Sequence, residues 1–142
     1  MDTKKIKIPT LKMGRAYLPT KEMVLSKVTK NMGNYVLGFI RINKKTKAKE
    51  FVNRYVGRSD TNLQFEIIQQ GIKLKKDLDG NQLYTHFKFT HRIETLKENY
   101  LKECTHYHQF KDIHKLDNMI HPARPRGYEQ SELPCVKITC SN

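Results

Sequence analysis

The clearest pattern along the chain is a pair of segments rich in β-branched and aromatic residues in its first half. Residues 34–42 (NYVLGFIRI) and 51–56 (FVNRYV) have this composition, which is typical of strands. The intervening residues 43–49 (NKKTKAK) are polar and contain four lysines. The sequence therefore predicts a β-hairpin with a lysine-rich tip.

Helical periodicity appears in other parts of the chain. The predicted helices cover residues 20–30, 63–71 and 93–110. In the third helix, Tyr100, Cys104 and Tyr107 recur at intervals of three and four residues, as positions on one helix face do. Asp60 or Asn62 can serve as the N-cap of the second helix.

The remaining segments predict a third strand and irregular ends. Gly71 is expected to end the second helix, and the turn sequence of residues 77–81 (DLDGN) precedes an alternating strand-like segment, 84–89. Two prolines exclude regular structure from residues 121–127. We expect an α+β fold with a small, mostly antiparallel sheet of at least three strands flanked by helices. Its parts are a basic N-terminal arm over residues 1–19 with a short strand at 6–8, a domain over 20–127, and a C-terminal tail over 128–142.

Composition narrows the class of protein. The 142 residues, 37% of them apolar, suffice for one modest core, and no apolar run approaches the roughly 20 residues of a membrane span. The N-terminus lacks the apolar stretch of a secretion signal, and the three cysteines fit no paired disulfide framework. We therefore expect a cytoplasmic protein of the bacterial or phage type, without a membrane partner.

Positive charge is concentrated in the first part of the chain. The net charge is +13, and residues 1–58 hold 15 Lys and Arg against three acidic residues. Such an excess favours a polyanionic partner, and nucleic acid fits better than an anionic membrane because the basic segments lack a long apolar stripe. The candidate nucleic-acid contacts are Lys44, Lys45, Lys47 and Arg54.

Two short motifs lie on the predicted hairpin strands. Residues 33–35 (GNY) and 55–57 (YVG) are followed by a helix, a strand and a long helix that contains Glu103. In this order, over about residues 33–118, the chain resembles the GIY-YIG nuclease superfamily. The stretch around Glu103 and residues 121–125 (HPARP) also resembles small uncharacterised bacterial proteins of that superfamily.

This resemblance implies hydrolysis of phosphodiester bonds with one divalent metal ion, Mg²⁺ or Mn²⁺. Tyr35 and Tyr55 would be the motif tyrosines that help to deprotonate water, and Glu103 the metal ligand. Asn118 follows at about the distance where the family has an asparagine, and Glu98 is the alternative ligand if the register shifts. A single carboxylate suits a hard cation that keeps several water ligands.

One position departs from the family pattern. In the family, the helix after the second motif carries a catalytic arginine, whereas residues 62–70 (NLQFEIIQQ) contain no basic residue. The expected position falls on Glu66, or on Phe65 if the register shifts, and an acid there would repel phosphate. Arg58, directly after the second motif, is the candidate replacement. Residues expected to support the site are Gly33, Gly57 and His108.

Cysteine and histidine also cluster in the third helix. Cys104, His106 and His108 raise the alternative of a zinc site, because Cys104 and His108 are four residues apart on one helix face. A second pair with ligand spacing is missing from the sequence, so a small buried Cys104 is the preferred interpretation. His121 is expected to pin the C-terminal segment over the sheet.

Three functions are compatible with these observations. The first is a nucleic-acid-binding endonuclease with an atypical site, with DNA favoured over RNA by family habit alone. The alternative is a catalytically inactive module that keeps the nuclease fold and binds DNA, RNA or a partner protein. A domain that binds an acidic protein fits the charge but leaves the tyrosine and glutamate pattern unexplained.

Overall fold

The computed structural model describes residues 13, 15–74, 76, 78–81, 83–90, 93–114, 116–117, 121–128 and 133. Its strands are β1 (Gly33–Ile42), β2 (Lys49–Ser59) and β3 (His86–Thr90). Its helices are α1 (Lys21–Lys27), α2 (Leu63–Ile67), which continues as a π-helical segment (Ile68–Leu74), and α3 (Leu96–His114).

The strands form one antiparallel sheet in the order β2-β1-β3. β1 and β2 are the predicted hairpin, and residues 44–46 form the turn at its lysine-rich tip. Tyr35 lies opposite Gly57, Leu37 lies opposite Tyr55, and the register shifts between Leu37 and Gly38. The α+β fold and the antiparallel sheet expected from the sequence are confirmed.

Each face of the sheet is covered by helices. Because side chains alternate along a strand, Tyr35 and Leu37 share one face, and they pack with α1 and α2 through Val24, Leu63 and Ile67. The opposite face carries a second cluster, to which α3 contributes one ring. Its buried members are Met13, Val36, Val56 and Phe110. The sheet is thus a central layer with α3 on the side away from the motif tyrosines.

Element boundaries differ from the sequence predictions in several places. Asn62, not Asp60, caps α2, since its Oδ1 accepts a hydrogen bond from the Phe65 N–H at 3.0 Å. Gly71 does not end this helix, because the chain continues through it as the π-helical segment. Helix α1 is shorter than expected, and α3 begins later and extends further.

The C-terminal end of the predicted arm contacts the sheet. Tyr17 forms an antiparallel bridge to Phe87, with two N–H to carbonyl hydrogen bonds of 2.8 Å. The predicted strand at 6–8 lies outside the described residues, and so do Cys135 and Cys140. Residues 121–128 contain neither helix nor strand, as their prolines predicted. Among the described residues, no helix combines the length and apolar character needed to cross a membrane.

Candidate active site

The two motif tyrosines lie side by side on one face of the hairpin. Tyr35 is fully buried and Tyr55 is partly exposed, and their ring centroids are 6.4 Å apart. The register explains the neighbouring glycine of the second motif, because the Tyr35 ring lies over Gly57. A Cβ atom on Gly57 would stand 2.2 Å from Cζ of that ring.

Glu66 faces the hydroxyl of Tyr35. The phenol donates a hydrogen bond to Glu66 Oε2 at 3.0 Å. Burial first and the Glu66 charge second raise the pKa of Tyr35 well above its usual value, so this phenol is protonated at neutral pH. The pKa of Tyr55 is also raised, by burial and then by the charges of Glu66 and Glu103. Glu66 therefore brings a carboxylate to the tyrosine pair.

Arg58 projects from the opposite face of β2 and connects it to α3. Its Nη1 donates to Glu103 Oε1 at 2.7 Å, and its Nε and Nη2 donate to the carboxylate of Asp60 at 2.8 and 3.1 Å. The side chains of Arg58 and Glu103 are only 9% and 10% exposed. The guanidinium also lies 5.5 Å from the ring centroid of Tyr100. Its charge is thus engaged by two acids in a nearly closed site.

Glu103 is an unusual carboxyl group. Its pKa is raised to about 7, mainly by burial and also by the charges of Asp60 and Glu66, while Arg58 acts in the opposite direction. Glu98, the alternative ligand, instead accepts a hydrogen bond from the Glu94 N–H at the start of α3. Glu103 is therefore the helix carboxyl that interacts with Arg58 and influences both motif tyrosines.

The four main candidates form two pairs around β2, an outer strand of the sheet. Tyr35 contacts Tyr55 on one face, and Arg58 contacts Glu103 on the other. The pairs interact through charge, since the Glu103 carboxylate raises the pKa of each phenol. Comparison of the chain with family models, curated proteins and solved structures finds no match.

Two buried asparagines fix the position of α3 against the strands. Asn34 Nδ2 donates to Asn99 Oδ1 and to the Asn99 carbonyl, at 2.5 and 3.1 Å. Asn99 Nδ2 donates to the Ser59 carbonyl at 2.8 Å and to Asp60 Oδ1 at 3.0 Å. Asn99 thus holds the carboxylate that binds Arg58. Sequence reasoning missed it, because an asparagine inside a helix has no distinctive spacing.

Replacing Asn99 with leucine is expected to lower the free energy of unfolding by about 2 kcal/mol, because buried groups on two strands lose their partner. Chemical denaturation measures this change. In an Asn34→Leu background the same replacement should cost about 1 kcal/mol less, since one partner is already absent. Asn31→Leu, at an exposed position, is the matched control and should change stability little. An Asn99→Leu protein as stable as the wild type would contradict the structural role.

The other predicted residues lie in different places. Lys44, Lys45 and Lys47 are exposed at the hairpin tip, which begins roughly 23 Å along the hairpin from Tyr55. Arg54 pairs with Asp117, whose carboxylate oxygen is 2.6 Å from Nη2. 

The structure places the remaining residues that were expected to support the site as follows. Gly33 packs so closely that a Cβ atom would stand 2.4 Å from the Thr90 carbonyl oxygen. Asn118 lies outside the described residues. His108 faces His121, with 3.1 Å between their Nε2 atoms, and Cys104 lies beside them. The three side chains of Cys104, His108 and His121 are close enough together to hold a metal ion.

Proposed function

We propose that this protein binds nucleic acid and hydrolyses phosphodiester bonds with a divalent metal ion at the Tyr35, Tyr55, Arg58 and Glu103 site. One observation carries the proposal. Residues singled out by motif order on three different elements lie in one electrostatically coupled group around β2. The charge of Glu103 raises the pKa of both tyrosines from the other side of β2, and this coupling supports a shared role for the three residues.

The charges around Glu103 fit a hard divalent cation. Three carboxyl groups act on this site, those of Asp60, Glu66 and Glu103, against the single guanidinium of Arg58. Each carboxyl group offers oxygen atoms as metal ligands. Glu103 would hold the metal ion, which would polarise phosphoryl oxygens and acidify water when bound. An excess of negative charge would otherwise repel the phosphate backbone.

The protein groups have distinct roles in this proposal. Tyr55 is the more accessible of the two phenols, and in its protonated form it orients the attacking water by hydrogen bonding. Tyr35 is fully buried and holds Glu66 in place. Arg58 is the group that would stabilise the charged phosphate, in exchange for one of its carboxylate partners. 

The hairpin tip supports a nucleic-acid partner. Lys44, Lys45 and Lys47 are exposed, and within the part of the chain that the structure describes none of their amines has a carboxylate within 4.0 Å. A bound strand would reach both the tip and Tyr55 if it spans roughly seven nucleotides, given about 3.4 Å per step. We favour DNA over RNA because of the resemblance to the GIY-YIG superfamily.

A second candidate function is binding without cleavage. The hydroxyl of Tyr35 is hydrogen-bonded to Glu66, and the guanidinium of Arg58 is hydrogen-bonded to two carboxylates. In this conformation the polar groups of the site therefore bind one another. This observation favours a module that retains the nuclease fold and binds DNA, RNA or a partner protein through its basic surface.

Cleavage of single- and double-stranded DNA and RNA with Mg²⁺ or Mn²⁺ tests the proposal. We expect Tyr55→Phe and Glu103→Gln each to slow cleavage by about 100-fold, because they remove a water-orienting hydroxyl and the metal ligand. Tyr17→Phe and Glu98→Gln are the matched controls and should retain activity. Binding without cleavage under every condition would reject hydrolysis and support the second function. Absence of both binding and cleavage would reject the first function and would leave only a partner protein for the second.

A further inference from the structure

A second group of potential ligands includes Cys104, the residue after Glu103 on α3, and shares no residue with the four of the proposed hydrolytic site. Cys104 Sγ lies 3.4 Å from His121 Nε2, and His108 Nε2 lies 3.1 Å from the same nitrogen. One ligand atom from each of the three residues falls within 4.8 Å of the others. Cys104 and His108 come from one face of the helix, and His121 from the irregular segment that follows.

The hydrogen bond on the far side of His121 defines its tautomer. His121 Nδ1 lies 2.8 Å from the Pro122 carbonyl oxygen, which can only accept, so Nδ1 carries the hydrogen. In the neutral ring, Nε2 then presents its lone pair to His108 and Cys104. Histidines that bind metal ions commonly donate their other N–H to a backbone carbonyl in this way. 

Two of the three separations are close to those in a tetrahedral metal centre. With Zn–N bonds of about 2.05 Å and a Zn–S bond of about 2.3 Å, tetrahedral angles give about 3.3 Å between nitrogens and about 3.6 Å between sulfur and nitrogen. The observed values are 3.1 and 3.4 Å. The third separation, between the ligand atoms of Cys104 and His108, is at most 4.8 Å.

The surroundings suit a transition metal better than Mg²⁺. Cys104 is a buried thiol, both histidines are partly exposed, and the ring of Tyr107 packs edge-on against His108 and His121. One thiolate and two imidazoles are the ligands that zinc prefers, whereas Mg²⁺ prefers oxygen.

We propose that Cys104, His108 and His121 bind one Zn²⁺ ion that fastens the segment at residues 121–125 to α3. Binding forms an S–Zn bond and releases the thiol proton of Cys104 to solvent. The single proton of His108, which lies on Nε2 when that atom donates to His121, moves to Nδ1 by exchange with solvent, so that His108 coordinates through Nε2. The fastened segment includes Arg124, whose guanidinium lies 5.9 Å from the Tyr100 ring centroid. Arg58 packs on the same ring, so the metal ion would also brace the neighbouring site.

Cobalt substitution in the full-length chain tests this proposal, with Cys135→Ser and Cys140→Ser present so that Cys104 is the sole thiol. We expect one equivalent of Co²⁺ to give thiolate-to-cobalt charge-transfer absorption and tetrahedral d–d bands, which Zn²⁺ then displaces. Cys104→Ser should abolish the charge-transfer band, and His121→Ala should lower the affinity for Zn²⁺ by at least about 100-fold. Addition of Zn²⁺ should raise the midpoint of thermal unfolding.

Controls separate this site from the hydrolytic one. His86→Gln, on β3, and Glu103→Gln should both keep the cobalt spectrum, and neither measurement involves nucleic acid. Absence of cleavage would thus not contradict the zinc proposal, and absence of zinc binding would not contradict the hydrolytic proposal. A folded protein without the charge-transfer band at saturating Co²⁺ would overturn the proposal and leave a hydrogen-bonded histidine pair. The same band after Cys104→Ser would also overturn it. The test for the charge-transfer band uses protein in which Cys104, His108 and His121 are unchanged. It can therefore be made even if the Cys104→Ser protein fails to fold.

Discussion

Replacing Lys44, Lys45 and Lys47 together with glutamine is expected to weaken binding of duplex DNA about 500-fold at about 0.1 M salt. The three amines are exposed on the hairpin turn, where a phosphate backbone can approach them. Each phosphate contact releases about 0.9 of a counterion, which is worth roughly eightfold in affinity at this salt concentration. Fluorescence anisotropy with a labelled duplex measures the loss.

The salt dependence provides a second measurement of the same variant. The slope of log affinity against log salt concentration should become shallower by about 2.7, because three phosphate contacts are lost. Triple replacement with arginine is the matched control, since it keeps the charge and should keep both affinity and slope. Lys47 has a φ of 65°, and glutamine and arginine meet the same backbone constraint there. An unchanged affinity and slope in the glutamine variant would mean that nucleic acid binds elsewhere or not at all.

The hairpin and the tyrosine pair could be anticipated because their determinants are local. β-branched composition predicts the strands, and the turn residues between them predict antiparallel pairing. Once Tyr35 lies opposite Gly57, alternation puts Tyr35 and Tyr55 on the same face. Asn62 as the cap of α2 is a local property of the same kind, although the sequence alone left Asp60 as an equal choice.

Contacts between α3 and the sheet could not be obtained in this way. Helical periodicity shows which face of α3 is apolar, but it does not show at which position along β2 the helix packs. The ion pair of Arg58 with Glu103 and the bonds of Asn99 to Ser59 depend on that position. The π-helical continuation through Gly71 likewise has no signal in the helical periodicity of the sequence.

The metal-ligand group illustrates the same limit. His121 follows α3 in a segment without periodicity, so only the folded chain brings it to Cys104 and His108. The pKa of Glu103, near 7, is also a property of the assembled site. Burial and two neighbouring acids raise it while Arg58 lowers it, and only their positions decide the balance.

Gly57→Ala is expected to destabilise the protein by about 3 kcal/mol, the upper end of the range for overpacked cores. The added Cβ would stand 2.2 Å from Cζ and 2.4 Å from the hydroxyl oxygen of Tyr35. That ring is fully buried, and its hydroxyl is hydrogen-bonded to Glu66. Chemical denaturation measures the loss. Gly71→Ala is the matched control, because its nearest contact is the flexible end of Leu37 at 3.2 Å, and it should cost less than about 1 kcal/mol.

A double-mutant cycle connects this cost to the tyrosine. Tyr35→Leu removes the ring atoms that the new Cβ would meet, so in this background Gly57→Ala should cost less than about 1 kcal/mol. Equal costs in the two backgrounds would show that the glycine is needed for another reason. If the costs differ as expected, the glycine of the second motif is required because the tyrosine of the first motif lies across it. The pairing of the two motifs would then follow from sterics within the hairpin, whether or not the site hydrolyses nucleic acid.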